Sequence, residues 1–459
     1  MDTLSNLLRV KILRPSDYGD GSPTSWQSFV ERECSVGFDR HCQLPFYLWV
    51  WVAKRKDTTR LMLFSDQYMS DGFSGNVILN CILEHVAKLA RESSSEYQRP
   101  SMSIAEEFEL RPSLYRIWLD RIKWVKPLLK GSDAIFGRRI LRRNARNFVP
   151  LLAARKDQKD FAVPPKVNDT KALFADGETE SMREALNKCR TEGVALGGAV
   201  VVLALLAFYR IRCGDELQKC IHPFRIKMSI DCNMRHQVQH PAEEDTVGMY
   251  TATTDLDWLN SEGVDMLNTQ FWELAGRACR EVEANIKNTI AMALPTIQAD
   301  QKLNAKMKPA FLKDVHIPHS ITSDVGVEAL CVYPFEKQHA LSKNLDSESR
   351  QGLLAACEER LPTESGSDLT LLSRLATICS APHKELSVES LHVFKALPHL
   401  APSVVIFLSS VHAFGYSMAH KVDVDVGNDL FTAFVLLCES LGSIGSDENL
   451  ADVLDRLNE

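Results

Sequence analysis

The spacing of apolar residues along the chain marks its first elements. Phe46 to Val52 reads FYLWVWV, an aromatic and β-branched run that predicts a strand, and Leu7 to Leu13 and Arg60 to Phe64 predict two more. From Gly72 onward the period lengthens. Val77, Ile78, Cys81, Ile82, His85, Val86 and Leu89 lie on one broad apolar stripe, which predicts a helix. The local order is therefore strand, tight polar loop, helix. Ile104 to Leu152 reads as helical with breaks at Pro112, Pro127 and Gly131. Further on, Glu178 to Glu192 predicts an amphipathic helix closed by Gly193, and Val194 to Phe208 predicts an apolar one. A strand at Phe224 to Asp231, a helix at Asn268 to Lys287, a strand at Ser403 to Ser409 and a helix at Asp429 to Leu441 complete the pattern. Such alternation points to an α/β or α+β fold.

The stretch around Pro164 and Pro165, with mixed charge on both sides, reads as a linker. The expected division is residues 1–155, a crossover at 156–172, and residues 173–459. Residues 336–389 turn polar, with Thr363 to Asp368 as a turn. Val194 to Phe208 carries no charge, but its fifteen residues fall short of the roughly 20 that cross a bilayer. A helix buried on all sides shows the same pattern and is the reading favoured over a span.

Composition narrows the classes. With 459 residues, 45% of them hydrophobic and 25% charged, the chain can bury two sizeable cores. A net charge of −7 and the lack of P-loop or zinc-ribbon spacing give no reason to expect nucleic acid as a partner, nor a metal. The twelve cysteines contain no CxxC pair and often sit among apolar residues, the pattern of buried thiols in a reducing compartment. No basic flank with an apolar run follows Met1, so a cytoplasmic location is expected. Charge is unevenly spread. Residues 116–146 carry a formal +8, leaving about −15 for the remainder, and Trp118, Trp124 and Phe136 interleave with the basic positions. Such a stretch can lie on a membrane surface, attract the phosphates of coenzyme A or a phosphopantetheine carrier, or form a solvated helix with one face in the core.

The loop between the predicted strand and helix reads Phe64-Ser65-Asp66-Gln67-Tyr68-Met69-Ser70-Asp71-Gly72-Phe73-Ser74-Gly75. It resembles the His-His-x-x-x-Asp-Gly signature of the chloramphenicol acetyltransferase-like superfamily, which includes alcohol acyltransferases, BAHD acyltransferases and condensation domains. Asp71 and Gly72 match its end, while Asp66 and Gln67 stand in place of the two histidines. A bare Asp-Gly also fits an ordinary turn in which Asp71 caps a helix. Other segments match in the same order: Glu178 to Phe208, Ser229 to Arg235 with Val247 to Tyr250, Phe271 to Ala275, and Ser323-Asp324-Val325-Gly326 against the family's Ser-Asn-x-Gly. The resemblance runs from Gln43 to Leu330, weakens over Val404 to Leu437, and is missing at 336–389. Leu7 to Val10 is similar to the segment that follows the family's first strand and helix, which implies that this element is lacking here.

The resemblance implies a fold of two chloramphenicol acetyltransferase-like subdomains, each a mixed sheet with flanking helices, and a tunnel between them. It implies acyl transfer from acyl-coenzyme A or a carrier thioester, as co-substrate and not as bound cofactor, to a small alcohol or amine. It gives Asp71 a structural role, paired with Arg235, and places Gln67 where the catalytic base stands. A glutamine amide does not titrate in the working range, so Gln67 can orient a hydroxyl but cannot take its proton. Ser323 is the implied oxyanion donor, beside Asp324 and Gly326. Asp66, His316 and His319 are the other candidate bases. Two readings stay open: an acyltransferase with impaired or altered chemistry, or a noncatalytic member that binds an acyl ligand or a partner protein.

Overall fold

The computed structural model describes residues 10–14, 25–34, 38, 44–52, 58–66, 69–91, 114, 151–152, 170–214, 223–235, 247–288, 325–332, 388–397, 403–411 and 413–456. The linker at 156–169, the basic stretch 116–146 and the polar run 336–387 lie outside them.

Two sheets organise these residues. The first holds β1 (Val10–Leu13), β2 (Phe46–Val52) and β3 (Thr59–Ser65), with β1 parallel and β3 antiparallel to the central β2. Side chains alternate across a strand, so Tyr47, Trp49 and Trp51 share one face of β2. A helix missing from the sequence reading, α1 (Ser25–Cys34), covers that face with Trp26, Phe29 and Val30. Phe29 meets Trp49 and Trp51 edge-on at centroid distances of 5.0 and 5.5 Å. The predicted helix after the loop is α2 (Gly72–Arg91).

The second sheet has six strands: β4 (Lys171–Asp176), β5 (Met228–Asn233), β6 (Thr251–Asp255), β7 (Val325–Val332), β8 (Val404–Ser410) and β9 (Phe414–His420). Their order is β4-β9-β8-β7-β5-β6, with β5, β7 and β8 parallel to one another and the remaining pairs antiparallel. One face carries α3 (Thr179–Glu192), α4 (Leu196–Cys213), α6 (Phe271–Lys287) and α7 (Val424–Glu439), while the short α5 (Asp257–Ser261) packs beside β5 and the short α8 (Leu450–Asp455) beside α4. Every residue of β8 and β9 is buried, as expected of strands covered on both faces.

Gly193 ends α3 in the left-handed region, at φ 67°, and the following amides complete a Schellman closure: Gly193 N–H to Arg190 O at 3.1 Å and Val194 N–H to Cys189 O at 3.0 Å. The chain then re-enters helix at once. α4 is long and apolar enough to cross a membrane by composition, yet most of it lies buried between α6 and α7, which favours the core-helix reading. At Gly198 the approach of α6 is so close that a Cβ would sit 2.3 Å from Cys279 Sγ and 2.4 Å from the Ala275 carbonyl oxygen. Only a residue without a side chain fits there.

Two expectations are corrected. The strand predicted over Phe224 to Asp231 begins at Met228, because Phe224 forms only an isolated bridge to Val264 and the chain between stays irregular. The cysteines are less uniform than their apolar neighbours suggest. Cys189, Cys232, Cys279 and Cys438 are buried free thiols, but Cys81 is exposed and Cys213 is disulfide-bonded.

The two sheets are joined at several points. Trp26 packs on Phe174 of β4 at 4.7 Å, and Glu31 accepts from Lys171 Nζ at 3.1 Å and from the Ala172 amide at 2.9 Å. Residues 388–397 run over the outer face of β8 and β9, where Val393 and Phe394 meet Val405, Phe407 and Ala419, and Phe394 reaches the cluster around Trp26.

Candidate functional site

The loop after β3 turns sharply. The Asp66 amide donates to Pro45 O at 2.7 Å, and its carbonyl accepts from the amides of Met69 at 2.9 Å and Ser70 at 3.3 Å. That turn delivers Asp71 to the start of α2, with Gly72 as the first helical residue.

Asp71 then serves two purposes at once. Its Oδ1 accepts the Ser74 amide at 2.9 Å, which is the third amide of the helix and so makes Asp71 the N-cap. The same carboxylate takes a two-pronged contact from Arg235, Nη2 to Oδ1 and Nη1 to Oδ2, each at 2.9 Å. Tyr250 N–H at 2.9 Å and the Thr251 hydroxyl at 3.3 Å also donate to Oδ2. The turn reading and the paired reading of Asp71 are therefore both met by one side chain.

Arg235 follows the end of β5, and its side chain is completely shielded from solvent, while that of Asp71 is 3% exposed. Its guanidinium lies between the rings of Phe73, at 4.6 Å, and Tyr250, at 4.9 Å. A fully buried cation of this kind requires a hydrogen-bonded counter-charge, which Asp71 supplies from the other sheet's loop. Burial pushes the Asp71 carboxyl up, but the hydrogen bonds and charge of Arg235, with the Ser74 and Tyr250 amides, hold it below the usual carboxylate range.

Ser74, which the sequence reading does not single out, is the hub of this contact. Its hydroxyl receives Arg235 Nη2 at 2.8 Å and the Gly248 amide at 3.0 Å, and lies 2.8 Å from both Asp71 Oδ1 and Gly248 O. With both lone pairs occupied, its single proton goes to one of those two oxygens. The signal for it was the position alone, three residues after a capping aspartate.

Of the remaining predicted residues, Gly326 is among those described. Gly326 lies near the start of β7, level with Ser229 of β5. Arg235 follows six residues beyond that level, on the order of 20 Å along the strand direction. Gln67, Ser323, Asp324, His316 and His319 lie outside the described residues.

A second constellation has the composition of a hydrolase triad but not its arrangement. His392 Nε2 meets Asp176 Oδ1 at 3.0 Å and its Nδ1 is 3.4 Å from Ser417 Oγ. Ser417 is wholly buried while the Asp176 side chain is 58% exposed. A nucleophile must reach substrate, so the group fastens residues 388–397 to β4 and β9. No grouping of three or more metal-ligating side chains occurs among the described residues.

Two sheets, one of them mixed and six-stranded, joined through a capped and paired loop aspartate, make up a fold that is similar to that of a solved acetyltransferase. Among solved structures, the trichothecene 15-O-acetyltransferase TRI3 from Fusarium sporotrichioides matches over 95% of this chain and 77% of its own, at 10% identity and a TM-score of 0.54. The X-domain from teicoplanin biosynthesis matches over 97% of this chain and 80% of its own, at 11% identity and a TM-score of 0.48. The first condensation domain of the CDA synthetase matches over 96% and 76%, at 11% and 0.48. No protein-family model matches the chain, and neither does any curated protein.

Proposed function

We propose that the chain handles an acyl thioester, of coenzyme A or of a carrier protein, in the seam where the loop at 66–71 meets the second sheet, and passes the acyl group to a hydroxyl or amine. The observation that supports this is the buried Asp71–Arg235 pair, which fastens the loop bearing Gln67 to the opposite lobe. In the transfer, the new C–O or C–N bond forms as the C–S bond breaks. The proton of the attacking group passes to the departing thiolate. Gln67 cannot carry that proton, and loss of a general base commonly costs about a hundredfold to ten-thousandfold in rate, leaving proximity to do the work.

The experiment is Gln67→His, with free thiol release followed over a panel of acyl-coenzyme A donors and simple alcohols. A gain of about a hundredfold fits a seam that lacks only its base. A fast wild type slowed by the substitution means that another group is the base and that Gln67 positions substrate. The nontitrating amide of Gln67 also favours a second reading, ligand binding without turnover. Absence of turnover in both forms decides for it.

A further inference from the structure

Phe73, Asn76, Asn80 and Leu83 recur along α2 at steps of three and four and form one stripe. Both ends of that stripe touch the second lobe. Phe73 faces the Arg235 guanidinium, just past the end of β5, and Leu83 packs on Val411, just past the end of β8. β7 lies between β5 and β8, runs parallel to both, and packs against α2. α2 thus crosses the C-terminal ends of three parallel strands, with Asn76 on the stripe between its two end contacts.

Asn76 is 3% exposed, and its Nδ2 donor has no hydrogen-bond partner. Ser70, two residues before α2 and 5% exposed, has an unpartnered Oγ. A carboxamide is costly to leave unmet in such a place, and a leucine of similar volume would fill the position without that cost. A buried donor without a protein partner at this place points to an acceptor supplied by a ligand.

We propose that Asn76 is a ligand-recognising residue whose Nδ2 donates to an oxygen on the bound acyl chain, so that the seam selects acyl groups carrying a carbonyl or hydroxyl oxygen over plain hydrocarbon chains. This rests on the acyl-thioester reading above. Asn76 stands five residues beyond Asp71, about 7 Å along the helix.

The test is calorimetric titration of the full chain with two matched pairs, butyryl- against acetoacetyl-coenzyme A and hexanoyl- against 5-oxohexanoyl-coenzyme A. Wild type is expected to bind the oxo member of at least one pair about tenfold more tightly, the effect of one buried hydrogen bond made or missed. Asn76→Leu is expected to erase that preference while hexanoyl-coenzyme A binding stays within about threefold. Asn76→Ala, which cannot overpack the seam, must lose it too, and melting curves establish that both variants are folded. Equal affinities within both pairs for wild type, or a preference that survives both substitutions, overturn the proposal and leave the acyl-thioester reading standing. No binding of any of the four compounds overturns this inference and removes the coenzyme A form of that reading with it.

Discussion

Replacing Arg235 by methionine removes the charge from a site fully shielded from solvent and leaves Asp71 as a buried carboxylate. Breaking such a pair from one side costs about 3–5 kcal/mol. The lower end applies here, because the Ser74 and Tyr250 amides, each at 2.9 Å, and the Ser74 hydroxyl remain as donors. About 3 kcal/mol corresponds to a fall in Tm of roughly 6–12 °C for a unit of 150–250 residues. Asp71→Asn, which keeps a good helix cap, is expected to cost a similar amount by stranding the guanidinium. The double variant Asp71→Asn, Arg235→Met strands neither charge, so its cost should fall short of the sum by at least about 1 kcal/mol. Urea unfolding followed by circular dichroism and tryptophan fluorescence measures all four proteins. The pH dependence gives an independent check. Because the folded-state Asp71 carboxyl lies below its free value of 3.8, its contribution is complete above that value and is lost as pH falls through the folded pKa. In Arg235→Met, burial is no longer opposed by the guanidinium, so the carboxyl moves up and the gap to wild type should narrow on acidification from neutral pH. A loss under about 1 kcal/mol, or strict additivity in the double variant, would refute the argument that the pair holds the loop in place.

Gly198→Ala should destabilise by about 1–3 kcal/mol, read as a lowered Tm, since the added carbon meets the Ala275 carbonyl at 2.4 Å. Alkylation by iodoacetamide at neutral pH, mapped by peptide mass spectrometry, should label exposed Cys81 well before Cys189, whose thiol burial pushes up to about 12. Asn449→Ala should cost about 1 kcal/mol in urea unfolding, because the Asn449 and Asp452 side chains form a capping box at the start of α8.

Much of the frame was legible because some segments permit one reading only. FYLWVWV has no helical alternative, and β2 spans those same seven residues. α4 was legible as a buried helix because it carries no polar face to present to water. The pairing of Asp71 with Arg235 could be anticipated from the linear order of matching segments, although the residues stand 164 apart. What escaped has physical reasons. α1 offers only Trp26, Phe29 and Val30 over ten residues, a signal too short to separate from a loop. Ser74 and Asn76 are polar residues in a helix, which a periodicity argument assigns to the solvent face. They are buried because their surroundings come from β7 and from the turn at Gly248, distant parts of the chain that local spacing does not report.

The contact between Glu31 and the Ala172 amide has a further meaning for how the chain avoids its own kind. β4 is the last strand of the six-stranded sheet, and its outward amides offer a template on which another chain could add a strand. Glu31 occupies one of those amides and Lys171 adds a charge beside it, with α1 laid across the margin. The smaller lobe therefore acts as a guard on the larger one. A fragment beginning at the second sheet, expressed without α1, is expected to self-associate through β4, and Glu31→Ala in the intact chain should raise its propensity to aggregate on partial unfolding, as light scattering would record.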